Sequence, residues 1–363
     1  MDNNQQQFLE LVRAGLFPGK SARILVHGTA VDWDSIYRLS EEQSVMGLAA
    51  AGIDTLPLSE RPPKEATLQF VGCTLQLEQR NKAMNDFVAQ IITLLRKNDV
   101  YTLLVKGQGV AQCYERPLWR SCGDVDLFLS DSSYEKAKEI LIPLATDVEK
   151  EFQLLKHIGM TLSGFVVELH GTLRIRLTRR IDCELDKIQK ECFYAGEVRS
   201  WLNGNTQVFL PGADQDALFV FTHILQHLFI EGIGLRQICD WCRLLWTYRD
   251  NIDHKRLENH LRAMGLMTEW KAFGSLAVEW LGMPAEAMPF YDSSFKGKGL
   301  RLLSFVLETG NFGQNRDKKG GILKTFGRRT IDAFKMMRIF PIDAWKMYFG
   351  MIWTGLIIKA ELV

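Results

Sequence analysis

The chain has 363 residues, of which 47% are apolar and 24% charged, and its formal net charge is +1. That length leaves room for two or three modest domains, and the composition suits a globular protein that builds its core without covalent staples. Near-neutral charge excludes a global field that would gather long nucleic acid, although a local basic patch is compatible with it.

The N-terminal stretch MDNNQQQFLELVRAGLF is polar and then amphipathic. It has no basic segment leading into an apolar one, so no secretory signal is expected and a cytoplasmic location is. Phe8, Leu9, Val12 and Leu16 recur at helical spacing, residues 33–51 read as one helix or two, and Pro57, Pro62 and Pro63 break the chain. Phe87, Ile91, Leu94 and Leu95 predict a long helix over 78–97, which completes a helical arm at 1–98.

The pattern changes near Asp99. Residues 101–105 form a short β-rich run that ends at Lys106-Gly107, followed by a helix-compatible stretch at 110–114. Residues 124–129, Asp-Val-Asp-Leu-Phe-Leu, alternate as a strand with one polar end does. A helix with a serine start is predicted at 132–145, a hairpin at 157–163 and 165–170 around Ser163-Gly164, and one more strand at 206–210. These make a small mixed α/β core at 99–211.

Helical period returns from Ala213, through Leu218, Phe221, Leu225 and Leu228, then Ile238, Trp241, Leu244 and Leu245. It persists through 257–264, 270–281 and 300–307, giving a helical C-terminal domain at 212–315. Residues 316–346 are basic (Arg316, Lys318, Lys319, Lys324, Arg328, Arg329, Lys335, Arg338 and Lys346), and Trp345, Tyr348, Phe349 and Trp353 follow. The segment 316–363 is thus a basic amphipathic tail: either a docked terminal helix with a solvated basic face, or a membrane-surface or protein contact. No window reaches the roughly 18 apolar residues of a transmembrane helix; 347–358 comes closest.

The seven cysteines are scattered. Cys239 and Cys242 form a CxxC inside an apolar helical segment with no second pair nearby, so reduced core thiols are expected rather than a zinc or redox site.

Three features carry chemistry. Asp124 and Asp126 are two apart in a strand and project from one face, beside Gly123. Like charges on one face repel, and a divalent cation is a natural partner; magnesium takes carboxylates together with substrate phosphates. Lys106-Gly107 closes a strand and opens a helix, where glycine permits close backbone approach and the helix start favours phosphate. It is not a Walker loop. Glu168 is a lone acid within the apolar run Val166-Val167-Glu168-Leu169, and it becomes a third carboxylate if its strand neighbours that of Asp124. Three acids, a glycine turn and a lysine suit two-metal phosphoryl or nucleotidyl transfer.

The stretch from Leu104 to Leu129, with Lys106-Gly107, Val110-Ala111, Tyr114, Pro117, Arg120 and Gly123-Asp124-Val125-Asp126-Leu127, resembles the signature of the bacterial uncharacterised nucleotidyltransferase family. That family belongs to the DNA polymerase beta-like nucleotidyltransferase superfamily. The resemblance continues through Val167-Glu168-Leu169-His170, Asp214 to Leu218, His223, His227 and Leu235 to Asp240, covering roughly 30–270. It implies an α+β fold, a small mixed sheet flanked by helices with helical N- and C-terminal additions. It also implies that Asp124, Asp126 and Glu168 ligate magnesium, as two ions, and that Lys106 and Gly107 lie near the phosphates of a nucleoside triphosphate such as ATP. Lys106-Gly107-Gln108 stands where the superfamily usually has glycine-serine. The acceptor is not specified.

Other residues support this centre. Arg120 contacts phosphate or orders a loop by a salt bridge. His170 shares the face of Glu168, as base or as an ordering group. His223 and His227, and Arg236 and Asp240, are i,i+4 pairs. Packing or hydrogen bonding suits the first pair better than a metal. In the second, Arg236 meets the triphosphate across the cleft and Asp240 holds it. The leading reading is nucleotidyl transfer from a nucleoside triphosphate to a hydroxyl of a protein or small molecule, with Glu168 helping to deprotonate the acceptor. The alternative is a non-catalytic nucleotide-binding regulatory or scaffold protein on the same fold. A nucleic-acid-modifying transferase fits less well, because no aromatic-basic stripe adjoins the site.

Overall fold

The computed structural model describes residues 1–24, 31–195, 198–315, 322–346 and 348–350. Four helices open the chain: α1 (Asn3–Leu16), α2 (Trp33–Glu42), α3 (Met46–Asp54) and α4 (Lys64–Lys97). Asp2 caps α1 in a reciprocal box with Gln5, so two free backbone N–H groups are satisfied. Helices α1 and α3 touch backbone to backbone. A Cβ on Gly15 would run into the Leu48 carbonyl oxygen, so only glycine fits there. Helix α4 has 34 residues, well beyond the segment expected from the sequence, and spans about 51 Å.

A five-stranded mixed sheet follows, built from β1 (Leu103–Val105), β2 (Asp124–Phe128), β3 (Asp147–Val148), β4 (His157–Leu162) and β5 (Phe165–His170). Its order is β1-β2-β5-β4-β3, with β2 and β5 parallel and the other pairs antiparallel. Between β1 and β2 lies the short α5 (Gly107–Ala111), and between β2 and β3 lies α6 (Asp131–Leu141). The expected hairpin is β4–β5. Ser163 and Gly164 turn it with φ of 50° and 81°, the positive values a two-residue turn requires.

Period-two alternation gives the sheet two unlike faces. Val125, Leu127, Val167, Leu169, Ile158 and Met160 join Met84, Val88, Ile92 and Leu95 of α4 in one apolar core. Asp124, Asp126, Glu168, His170 and His157 therefore stand on the opposite face. The expected strand at 206–210 exists as β7 (Thr206–Leu210), but among the described residues it pairs with β6 (Arg199–Asn203) in a separate ribbon and not with the main sheet. Between β5 and this ribbon runs α7 (Arg179–Tyr194), a helix with no counterpart in the sequence-based expectation; its N-cap Thr178 accepts from the Ile181 N–H.

The helices that follow among the described residues include α8 (Ala213–Ile230), α9 (Leu235–Thr247), α10 (His254–Met264), α11 (Met267–Glu279), α12 (Lys296–Thr309) and α13 (Ile322–Met337). The architecture is α+β, with helical N- and C-terminal regions around a mixed sheet. Helix α8 is buried on nearly every side, and the partly accessible His223 and His227 project toward the uncovered face of the sheet. Cys239 and Cys242 are both fully buried in α9, and no metal-competent cluster among the described residues includes them. Of the basic tail, 316–321, 347 and 351–363 lie outside the described residues, including most of the apolar run at 347–358. Met336, Ile339, Phe340 and Ala344 are buried in the main core. Among the described residues no helix is long and apolar enough to cross a membrane.

Glu269 of α11 is 0% exposed, and neither of its carboxylate oxygens has a hydrogen-bond partner among the described residues. Burial, reinforced by the nearby Asp343, pushes its carboxyl up to about 8 from 4.5. The folded state thus favours the protonated form. Its contribution is complete below the unfolded value and is lost as pH rises through about 8, at roughly 1.4 kcal/mol for each pH unit between the two values. Glu269→Gln should therefore gain stability over the parent progressively from about pH 5 to about pH 9 in urea denaturation. A difference independent of pH would show that this carboxyl is not the source.

Candidate active site

Parallel pairing sets Asp126 opposite Glu168 and Asp124 opposite Val166, while antiparallel pairing sets His157 opposite His170. The carboxylates of Asp124, Asp126 and Glu168 each offer an oxygen within 4.8 Å of the others. Asp126 is 1% exposed, so its charge demands compensation from the protein. Lys106 supplies it, with Nζ 2.6 Å from Asp126 Oδ1, and Nζ also donates to His223 Nε2 at 3.1 Å. His170 Nε2 donates to the same Asp126 oxygen at 2.8 Å. His157 Nε2 lies 3.2 Å and His170 Nε2 3.4 Å from Glu168 Oε2.

The backbone at Lys106 makes this possible. Register places Val105 opposite Asp126, and the chain then reverses at Lys106 (φ 55°) and Gly107 (φ 39°). A Cβ on Gly107 would sit 3.2 Å from the Asp124 carbonyl oxygen, so glycine is needed for both its conformation and its proximity.

Charge dominates the site's titration. Asp124 is pushed above its ordinary value by Asp126 and then by burial. Burial opposes the charge on Lys106, but Asp126, Glu168 and Asp124 outweigh it and raise its pKa. Burial also works against ionised Glu168, yet hydrogen bonds from His157 and His170, with Lys106 close by, hold it below the usual carboxylate range. His170 is raised, because Asp126 and Glu168 overcome its burial. Burial and the charge on Lys106 push His223 far down, which leaves it a neutral acceptor for the Lys106 ammonium.

A cleft of about 490 Å³ opens over this face, within the range of small-molecule sites. Lys106, Gly107, Arg120, Asp124, Asp126, Glu168, His170, Arg236 and Asp240 line it, as do His157, His223, His227, Phe219 and Phe312. Gln108 and Gly123 are not among the lining residues. Gln108 is 2% exposed and its Nε2 donates to Asn81 Oδ1 on α4, away from the cleft, so its side chain does not replace the missing phosphate-side serine.

The two arginines differ. Arg120 grips Asp240 through two hydrogen bonds of 3.0 and 2.6 Å, and Tyr114 Oη donates to the same carboxylate at 2.7 Å. Asp240 therefore holds Arg120 rather than Arg236, contrary to the i,i+4 expectation. Arg120 takes the loop-ordering role among those weighed for it. Arg236 donates from Nη1 to the Ser121 carbonyl at 2.9 Å, while its buried Nε has no partner. Burial and the charge of Arg120 lower its pKa, against Asp240 and Asp124. It is a half-buried cation with no ion pair of its own among the described residues, on the cleft that the three carboxylates line. His157 joins the cluster without having been singled out from the sequence. The signal for it is the two-residue turn at Ser163-Gly164, whose register sets it opposite His170.

An α+β scaffold that lines one cleft with three clustered carboxylates, a lysine and an under-partnered arginine belongs to the class of proteins equipped for phosphate-bearing ligands. The chain belongs to the uncharacterised nucleotidyltransferase family, whose model matches residues 29–282, more than two thirds of its length. Its general role is accordingly nucleotidyl transfer. Comparison with curated proteins and with solved structures returned no significant match.

Arg120→Ala should cost about 3–5 kcal/mol of stability, because it leaves the Asp240 carboxylate buried without its cation. Arg236→Ala should change stability by no more than about 1 kcal/mol, since it removes one hydrogen bond and one orphaned donor. Urea denaturation of the two variants checks this, and equal losses would show that both arginines are structural.

Proposed function

We propose that the protein is a magnesium-dependent nucleotidyltransferase that moves a nucleoside monophosphate from a nucleoside triphosphate to a hydroxyl acceptor. The observation that carries this is the triad of Asp124, Asp126 and Glu168, whose oxygens lie within 4.8 Å of one another. The donor set fits magnesium: it is all oxygen, it is negative beyond what Lys106 neutralises, and it opens onto a cleft where phosphates can complete the shell. These three residues would hold two ions, which when bound neutralise phosphate charge and polarise the attacking and leaving oxygens. The mixed sheet, with its acids in register across a parallel strand pair, supports placement in the DNA polymerase beta-like superfamily.

The chain's own groups bind and orient. Arg236, which lines the cleft, meets the triphosphate there, and Lys106 lies at the phosphate side of the acids, where Gly107 lets the backbone come close. Arg120 and Asp240 hold the loop that carries Ser121 and so set the position of Arg236. Glu168, kept ionised by His157 and His170, is set to ligate a cation and to orient the acceptor hydroxyl beside it. Such catalysis rests on positioning and charge stabilisation.

Purified protein incubated with Mg²⁺, α-labelled nucleoside triphosphates and lysate should label an acceptor, which mass spectrometry identifies by its added nucleotide mass. Asp124→Asn and Asp126→Asn should each lower labelling at least about a hundredfold, the loss of several kcal/mol of transition-state stabilisation. Arg236→Ala should weaken triphosphate binding. Labelling unchanged in the Asp variants would overturn the proposal; metal-dependent binding with no labelling would move the protein to a regulatory or scaffold role.

A further inference from the structure

We propose that His157, Glu168 and His170 form a further cation position, one with two imidazole donors, that takes a first-row transition-metal dication in preference to magnesium. This rests on the reading that Asp124, Asp126 and Glu168 hold a cation, and it adds a neighbouring position that shares Glu168.

The sheet register carries the argument. His157 of β4 is directly opposite His170 of β5, and Glu168 precedes His170 by two residues on the same face. Three side chains from two adjacent strands thus converge. Both Nε2 atoms lie close to one atom, Glu168 Oε2, at 3.2 and 3.4 Å, His170 also meeting Asp126 Oδ1 at 2.8 Å, and the imidazole rings are 4.8 Å apart between centroids. A ligand atom from each residue lies within 4.8 Å of the other two. One histidine would suffice to orient Glu168; two converging on a single oxygen make a tripod. All three residues line the cleft, so a cation has a path in from solvent and positions left open for water or substrate.

Donor chemistry then sorts the cations. Magnesium prefers oxygen ligands in octahedral geometry and fits the Asp124–Asp126–Glu168 side of the cluster. Imidazole nitrogen favours manganese, iron, cobalt or zinc over magnesium, and two histidines with one carboxylate and open positions is a donor set such ions accept. The face therefore offers two unlike donor sets, one hard and one borderline, joined by one shared carboxylate.

The test is pulsed electron paramagnetic resonance of the full chain, carrying no histidine tag, with Mn²⁺ as the probe and Mg²⁺ in large excess. The expected result is bound Mn²⁺ whose spectrum shows coupling to imidazole nitrogen. His157→Gln and His170→Gln should each weaken Mn²⁺ binding at least about tenfold and remove the coupling, whereas Asp124→Asn should leave it in place. The spectrum of the unmodified chain decides the matter even if a variant fails to fold. Bound Mn²⁺ with no nitrogen coupling would overturn the proposal and leave the carboxylate reading intact, the histidines then serving only to order Glu168 and Asp126. No bound Mn²⁺ under Mg²⁺ excess would overturn the proposal, and no bound Mn²⁺ once Mg²⁺ is withdrawn would overturn the carboxylate reading as well.

Discussion

Parallel pairing of β2 with β5 sets the Asp126 carboxylate directly opposite Glu168, on a face where Asp124 adds a third negative charge. Such a face cannot be covered by apolar side chains, because burying unpaired carboxylates costs more than apolar contact returns. The molecule answers by leaving a cleft there and setting cationic or neutral nitrogen donors around it. Lys106 reaches in from the end of β1, His157 and His170 from the neighbouring register, and Arg236 from α9. The other face of the same strands is uniformly apolar and closes on α4. One alternation of side chains therefore produces both the core and the site.

Around that centre the strong polar contacts divide between holding the scaffold and facing the ligand. The Arg120–Asp240 pair, completed by Tyr114, is satisfied within the protein and ties the loop before β2 to α9. Arg236, one turn earlier on α9, is left with a buried donor that nothing in the scaffold occupies. The difference between the two arginines is one of partners, since both line the same cleft. Lys106 is in an intermediate position, because Asp126 and His223 both use its ammonium while its backbone takes a conformation side-chain-bearing residues seldom adopt. Strain of that kind is tolerated where the surrounding strands hold it.

Much of this is readable in order along the chain. The hairpin β4–β5, the acid pair in β2, the glycine turn after β1 and the helices from Ala213 onward all rest on local periodicity or turn chemistry, which the sequence carries directly. Helix α7 carries the same kind of signal, with Ile181, Leu185, Ile188 and Cys192 at helical spacing behind Thr178, although it is not among the elements expected above. The strand at 206–210 is legible as a strand, but its partner is not, since pairing across a sheet is not a property of either segment alone. Position next to Gly107 puts Gln108 with the phosphate-side residues, whereas the turn of α5 directs it toward Asn81.

The sequence by itself determined that Asp124 and Asp126 share a face, that Glu168 is an acid in an apolar strand, and that Gly107 permits a tight reversal. These follow from the two-residue repeat of a strand and from the missing Cβ of glycine. Only the tertiary structure decided that the two strands lie side by side in parallel register, that Asp240 holds Arg120 and not Arg236, and that His157 joins the cluster. Those are matters of which segments meet. Contacts between residues more than a hundred positions apart, such as Arg120 with Asp240, depend on the packing of α9 against the sheet and are written in no local pattern.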